Sequence, residues 1–323
     1  MTTFYDEWLA AGDRIQEEFK CSPVIARDRD IPWVETVQDA KVKLMLSNEL
    51  GFPTMGGAVL KAEIPAGWHT GRHSHGEESI FILKGRGFTV INDKRFDWRE
   101  GTALQIPYRA AHQHVNTSDE PAQYLSVMCF PLEAFVRLAK LEQFEKCGPN
   151  TPSLLNIPPH GSQYLEKDRR VSIHMDEAPS GLDPAETIPG NTNQHYFRRY
   201  LIIPSNGFKA KSVAIARMFE EPAGYHTGRH KHLEAVLYAL EGTGVSEVHG
   251  HEVTWEPGDV LHVPPAMFEH EHFNNSNNSY KLLQIKFGMR AWFTDIWPEG
   301  YTSQRIYDKA GKPIISGRIS DQA

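Results

Sequence analysis

Two stretches, Pro65-Ala-Gly-Trp-His-Thr-Gly-Arg-His-Ser-His75 and Pro222-Ala-Gly-Tyr-His-Thr-Gly-Arg-His-Lys-His232, differ at two positions and lie 222 − 65 = 157 residues apart. The same separation pairs Gly85 with Gly242, Gly87 with Gly244, Trp98 with Trp255, Gly101 with Gly258 and Pro107 with Pro264. It slips to 158 at His112-Gln-His114-Val-Asn116 against His270-Glu-His272-Phe-Asn274, a one-residue loop change, and returns to 157 at Phe130 and Phe287. A spacing kept over so many positions marks two copies of one fold unit, at about 55–130 and 212–287.

Each copy reads as short strands. Ala58–Ile64, Ser79–Leu83 and Gln123–Phe130 are strand-like in the first, and Val213–Phe219, Val236–Leu240 and Leu282–Phe287 answer them in the second. Glycine turns at Lys84-Gly-Arg-Gly and Glu241-Gly-Thr-Gly punctuate the runs. Many short strands with no intervening helices imply an all-β antiparallel barrel or sandwich, twice over. The expected domains are 1–150, with a barrel core at about 50–131, and 151–323, with a core at about 196–290. Peripheral helices are expected over the first 20 residues and over Leu132–Phe144, where apolar residues fall at helical spacing. Residues 148–200, rich in Pro, Gly, Ser and Asn, read as the inter-domain connection.

The bulk numbers exclude several classes. With 323 residues, 40% hydrophobic and 23% charged, the chain is that of a soluble globular protein. A net charge of −7 argues against nucleic acid or an anionic membrane as the main partner, since both need clustered positive charge. No apolar run reaches the roughly 18 residues of a membrane span. The amphipathic N-terminus lacks a signal-peptide core, and Cys21, Cys129 and Cys147 are too few and scattered for a disulfide framework, so the cytoplasm is the expected location.

The 16 histidines acquire meaning from position. Strand residues two apart share a face, about 7 Å apart at Cα. His73 and His75 therefore converge, as do His230 and His232, and metal–nitrogen distances of about 2.0–2.1 Å let each pair grip one ion. A third ligand must come from a later strand, where His112 or His114, and His270 or His272, stand ready. His69 and His226, four residues upstream, should share that face and line the pocket. Arg72 and Arg229 alternate to the opposite face, Trp98 and Trp255 read as core, and His249-Gly-His251 reads as a surface turn.

These residues resemble the cupin superfamily. Its first motif is matched by Gly67, His73, His75, Glu78 and Gly85, with the His–Glu gap one residue short. The second copy supplies Gly224, His230, His232 and Gly242, with Ala235 where the glutamate would be and Glu234 beside it. The second motif is matched by Gly101, Pro107, His112 and Asn116, and again by Gly258, Pro264, His270 and Asn274. The resemblance implies two tandem jelly-roll barrels. It implies metal ligation by His73, His75, Glu78 and His112 in the first and by His230, His232 and His270 in the second. His114 and His272, with His69 and His226, become acid–base or substrate-orienting candidates. Glu77 competes with Glu78 for the ligand role. A homo-oligomer is compatible with the resemblance.

The second copy further resembles gentisate-type ring-cleaving dioxygenases, which carry His-x-His followed by Ala and a His-Asp-His-Gly-Asn run; in them, however, the metal lies in the first barrel. The implied function is an Fe(II) dioxygenase acting on a hydroxylated aromatic acid or similar chelating small molecule, because three imidazoles leave positions open for substrate and O2. The alternatives are a non-redox isomerase, lyase or decarboxylase using Mn, Zn or Ni as Lewis acid, to which the Glu78 barrel is suited, and a non-catalytic ligand-binding bicupin. Since a ligand histidine must be neutral, metal occupancy is expected to fall as pH drops through about 6.

Overall fold

A computed structural model of the protein describes residues 2–181, 197–289 and 304–322. Among these, the strands form two pairs of antiparallel sheets, one pair per repeat, and a separate two-stranded ribbon of Tyr164–Glu166 and Arg169–Arg170. In the first barrel one sheet runs, in spatial order, Ser172–His174, Thr102–Ile106, Glu78–Lys84, Ala122–Met128, Ala58–Ile64 and Lys41–Leu46. The facing sheet centres on His112–Asn116, which pairs with Trp68–His69, His73–Ser74 and Arg86–Ile91. The second barrel repeats the plan, with Ala235–Glu241, Tyr280–Phe287 and Val213–Glu221 in one sheet and Glu269–Phe273 at the centre of the other. Turn glycines Gly85 (φ +96°) and Gly242 (φ +74°) occupy the left-handed region that β-carbons disfavour.

Alternation decides what fills each barrel. Ile80, Ile82, Leu104, Ile106, Trp98 and Tyr124 form the interior of the first; Leu237, Ala239, Phe219, Trp255, Tyr280 and Leu282 form that of the second. The opposite faces of the two large sheets meet. A third, larger core joins Phe81, Leu125 and Val127 of the first barrel to Val213, Ile215, Val236 and Leu283 of the second. Symmetry-related carboxylates stitch this seam. Glu77 accepts the backbone N–H groups of Lys211 and Ser212 at 2.7 and 2.6 Å, and Glu234 accepts that of Met55 at 3.1 Å and the His262 Nε2–H at 2.9 Å.

Chain order and barrel membership part company at the edges. Ile25–Ala26 pairs with the strand Val260–Val263 of the second barrel, while Ser172–His174, beyond the expected boundary at 150, extends the first. Asp28 beside that N-terminal strand ties back to Lys43 and Lys61, each at 3.0 Å. The stretch 148–181 is thus partly built into the first barrel instead of serving as a plain connection; residues 182–196 lie outside the described residues. The expected helix over 132–144 is corrected to Phe130–Phe135. Arg137 turns left-handed at φ +62°, and Glu142–Gln143 then joins the sheet edge beside His73–Ser74. The N-terminal helix, Phe4–Cys21, forms as expected with a Thr3–Asp6 capping box, but none of its residues is buried. No helix among the described residues is long and apolar enough to cross a membrane.

Candidate metal centres

Register brings the histidines together. His112 lies directly across from His73, and His270 across from His230, so each pair projects from neighbouring strands to the same face. The His73, His75 and His112 ring centres are 4.1 to 4.9 Å apart, and those of His230, His232 and His270 are 4.4 to 5.1 Å apart. Within each trio one nitrogen per ring lies within 4.8 Å of the others. Nε2 of His232 and His270 approach to 3.2 Å.

Backbone carbonyls set which nitrogen faces inward. Nδ1 of His73 meets Gly71 O at 3.2 Å, that of His75 meets Gly76 O at 2.9 Å, and that of His112 meets Ala110 O at 2.9 Å. In the second barrel Nδ1 of His230, His232 and His270 meets Gly228 O, Leu233 O and Phe268 O at 2.7, 2.5 and 2.9 Å. A carbonyl only accepts, so all six rings carry their proton on Nδ1 and present the Nε2 lone pair to the common centre. Burial, with neighbouring ring charges, lowers His73 to about 2 and His75 to about 4, and lowers His230 well below the usual histidine range. Rings that stay neutral in the fold are ready ligands.

The barrels differ in the fourth position. Glu78 Oε2 lies 3.2 Å from His112 Nε2 and 3.6 Å from His75 Nε2, while Ser126 Oγ donates to the other carboxylate oxygen. Burial would raise Glu78; positive charge at the surrounding His112, His75 and His114 site, on the rings or on an ion they hold, is what keeps it below the ordinary carboxylate range. His75 Nε2, His112 Nε2 and Glu78 Oε2 are buried and make no hydrogen bond. Three orphaned donor atoms at one point are the arrangement a divalent cation satisfies. At Gly76, inside the short His–Glu gap, a β-carbon would strike the Glu133 carboxylate at 1.8 Å, and alternation sends Glu77 outward to the seam. In the second barrel Ala235 leaves that place open, and Glu234 faces the seam like Glu77.

His114 and His272 are buried next to the trios, their Nδ1 atoms bonded to Thr89 Oγ1 at 2.8 Å and Ser246 Oγ at 2.7 Å. Burial lowers both to about 3. His69 and His226 do not share the face of the metal trios as alternation led one to expect; His226 lines an outer cavity with Arg229 and Glu271 instead. Thr70–Arg72 and Thr227–Arg229 break the strand before the His-x-His pair, so alternation does not carry through. His69 Nδ1 lies 3.0 Å from Gln113 Nε2, and His226 Nδ1 lies 2.6 Å from Glu271 Oε1; both partners sit between two inward histidines and point outward. Arg229 joins Glu271 and Glu247 on that outer face, and His249 and His251 are exposed, as their sequence reading has it.

Sequence reasoning missed several charged residues near the sites, the half-buried Asp39 among them. Asp39, reached by Tyr124 Oη at 2.7 Å, is raised to about 6 by burial, with Glu78 adding to the effect. In the second barrel Arg198 pairs in register with Phe219 of the interior cluster, and Arg217, two residues from Phe219, bonds Gln284 at 2.6 Å. Arg305 lies across from His230. Burial, then the charges of Arg217 and Arg305, lower Arg198 to about 9. The signal was a cation at an inward strand position, Arg198 in Phe197-Arg-Arg-Tyr200.

The cupin domain family matches residues 60–128 and 217–286, one match in each barrel. The chain is a bicupin, a protein with two cupin domains. It is 24% identical over 234 residues to 5-aminosalicylate 1,2-dioxygenase of a Comamonas species, a match covering 67% of this chain and 62% of that protein. Among solved structures, the salicylate 1,2-dioxygenase of Pseudaminobacter salicylatoxidans superposes with a TM-score of 0.57 at 17% identity, over 77% of this chain and 74% of that one. A mutant of Bacillus subtilis oxalate decarboxylase gives 0.62 at 16% identity, over 84% and 81%. These structural likenesses define the fold.

Proposed function

We propose that the protein is a metal-dependent enzyme whose second barrel is a ring-cleaving Fe(II) dioxygenase site for a hydroxylated aromatic acid, held by His230, His232 and His270. The observation that carries this reading is the contrast between barrels. Where the first places Glu78, the second has Ala235 and turns Arg198 and Arg217 inward, with Arg305 beside His230. Three neutral imidazoles leave the ion's charge uncompensated, and the guanidinium groups add to it, so the cavity favours an anionic chelator. A hydroxy-carboxylate on an aromatic ring supplies two adjacent oxygen donors and an anion for an arginine fork. Iron, when bound, supplies the redox chemistry that lets O2 react with the ring. The chain's own part is to hold and orient: Arg198 and Arg217 grip the carboxylate, His272 contacts a ring oxygen, and the apolar wall of Phe219, Leu237 and Leu282 excludes water. The 5-aminosalicylate dioxygenase relative supports the substrate class.

The test mixes anaerobic Fe(II)-loaded protein with gentisate, salicylate and 5-aminosalicylate, then admits oxygen. Oxygen uptake with one of them is expected; silence across a broad panel of hydroxy-aromatic acids removes the reading. A second reading applies to the first barrel, where the His73–His75–His112–Glu78 set and the raised Asp39 suit non-redox decarboxylation or isomerisation with Mn, Zn or Ni. Turnover that persists without oxygen and survives loss of His230 would favour it.

A further inference from the structure

One hydrogen-bond chain occurs in both barrels and is assigned no role by the ligand geometry. Trp98 Nε1 donates to Thr89 Oγ1 at 3.1 Å, and Thr89 Oγ1 meets His114 Nδ1 at 2.8 Å. Trp255 Nε1 donates to Ser246 Oγ at 3.0 Å, and Ser246 Oγ meets His272 Nδ1 at 2.7 Å. All six side chains are buried. Thr89 sits across from His114, and Ser246 across from His272, so register presents each hydroxyl to its ring. Gly87 and Gly244 make room for the indoles: a β-carbon there would come within 2.7 Å of Trp98 and 2.3 Å of Trp255.

Proton counting fixes the direction of the chain. An indole N–H can only donate, so each hydroxyl oxygen accepts from it. The hydroxyl keeps one proton to give, and the ring Nδ1 is its only other side-chain partner among the described residues. Were Nδ1 protonated instead, the hydroxyl hydrogen would be buried with no acceptor. Nδ1 of His114 and His272 is therefore the acceptor, and the single proton of each neutral ring sits on Nε2. This is the opposite tautomer from the six trio histidines, whose Nδ1–H groups face carbonyls.

We propose that Trp98 with Thr89, and Trp255 with Ser246, are positioning residues that lock His114 and His272 as Nε2–H donors, so each ring offers a hydrogen bond to a bound oxygen atom and is barred from ligating metal. His114 lies close enough to join Glu78 and His112 in a group spanning less than 4.8 Å, so without this lock it would compete for the ion. The inference rests on hydrogen bonds alone and holds for either reaction proposed above.

Nitrogen-15 labelling of the histidines, with long-range proton–nitrogen correlation of the diamagnetic Zn(II)-loaded protein, reads the tautomers directly. H114Q and H272Q each remove one ring system and so assign it. The expected wild-type spectrum shows the Nε2–H pattern for His114 and His272 and the Nδ1–H pattern for the six trio rings. Either of the two rings reading as Nδ1–H overturns the proposal. In T89V and S246A the corresponding ring should lose its single pattern and average between tautomers. An unchanged Nε2–H signature in both variants would remove the hydroxyls' role, and if a variant fails to fold the wild-type spectrum alone decides.

Discussion

Acidifying the metal-free protein should unfold it well before carboxylates protonate. In the fold His73, His75, His114 and His272 are depressed by burial to about 2, 4, 3 and 3. In the unfolded chain each returns to about 6.5. The folded values are the lower ones, so the unfolded state takes up protons first. Stability is full above pH 6.5 and is lost as pH falls from there towards 4. Linkage gives roughly 1.2 kcal/mol per ring between pH 7 and 5.5, about 5 kcal/mol for four rings. Asp39 acts in reverse. Its value near 6 means the folded state holds a proton the unfolded carboxylate lacks, which offsets on the order of 1 kcal/mol or less as pH falls. The net loss is about 4 kcal/mol, a large part of the 5–15 kcal/mol typical of a domain. Urea titrations in chelator at the two pH values measure it. Equal stability at both, or greater stability at pH 5.5, would refute the claim that these rings are buried neutral.

Metal occupancy should hold down to about pH 5 instead of falling through the pH 6 expected of ordinary histidines, because His75 in the fold titrates near 4; equilibrium dialysis across pH 7 to 4 checks this. E78Q should weaken Zn(II) binding at the first barrel by roughly ten- to a hundredfold, a scale set by the loss of a close charge-assisted contact, and leave the second unchanged, as read by competition with a chelating dye. R217Q should raise the KM for the acid about tenfold or more at unchanged metal content, since a hydrogen bond to a charged group contributes about 1.5–3 kcal/mol. E77A leaves two seam N–H groups without their acceptor and should cost about 3 kcal/mol in one cooperative transition; two separate transitions would deny the shared core.

The repeat made the two barrels and their histidine trios readable, because the 157-residue offset and strand alternation both follow from residue spacing alone. The same local rule misplaced His69 and His226, since three residues of loop reset the alternation that it assumed. It set Glu78 against Ala235 by position and left Glu77 as a competitor, because it could not see Ser126 behind the carboxylate or the seam that holds Glu77 and Glu234. Those contacts come from strands and loops far along the chain. Asp39, Arg198 and Arg217 were hidden for a related reason: a charge in a loop or on a strand reads as solvated until the groups packed against it, Tyr124 for Asp39 and Phe219 and Gln284 for the arginines, are known. Trp98 and Trp255 were rightly core, but their N–H groups acquire a purpose only when Thr89 and Ser246 lie beside them.

Metal content per chain, measured on protein reconstituted with a divalent cation and then desalted, probes the paired centres most directly. Two ions in the wild type are expected, one each in H73Q/H75Q and H230Q/H232Q, and none when all four substitutions are combined. A quadruple variant that stays folded and binds as much metal as the wild type would mean that the inward-facing imidazoles are not what holds it.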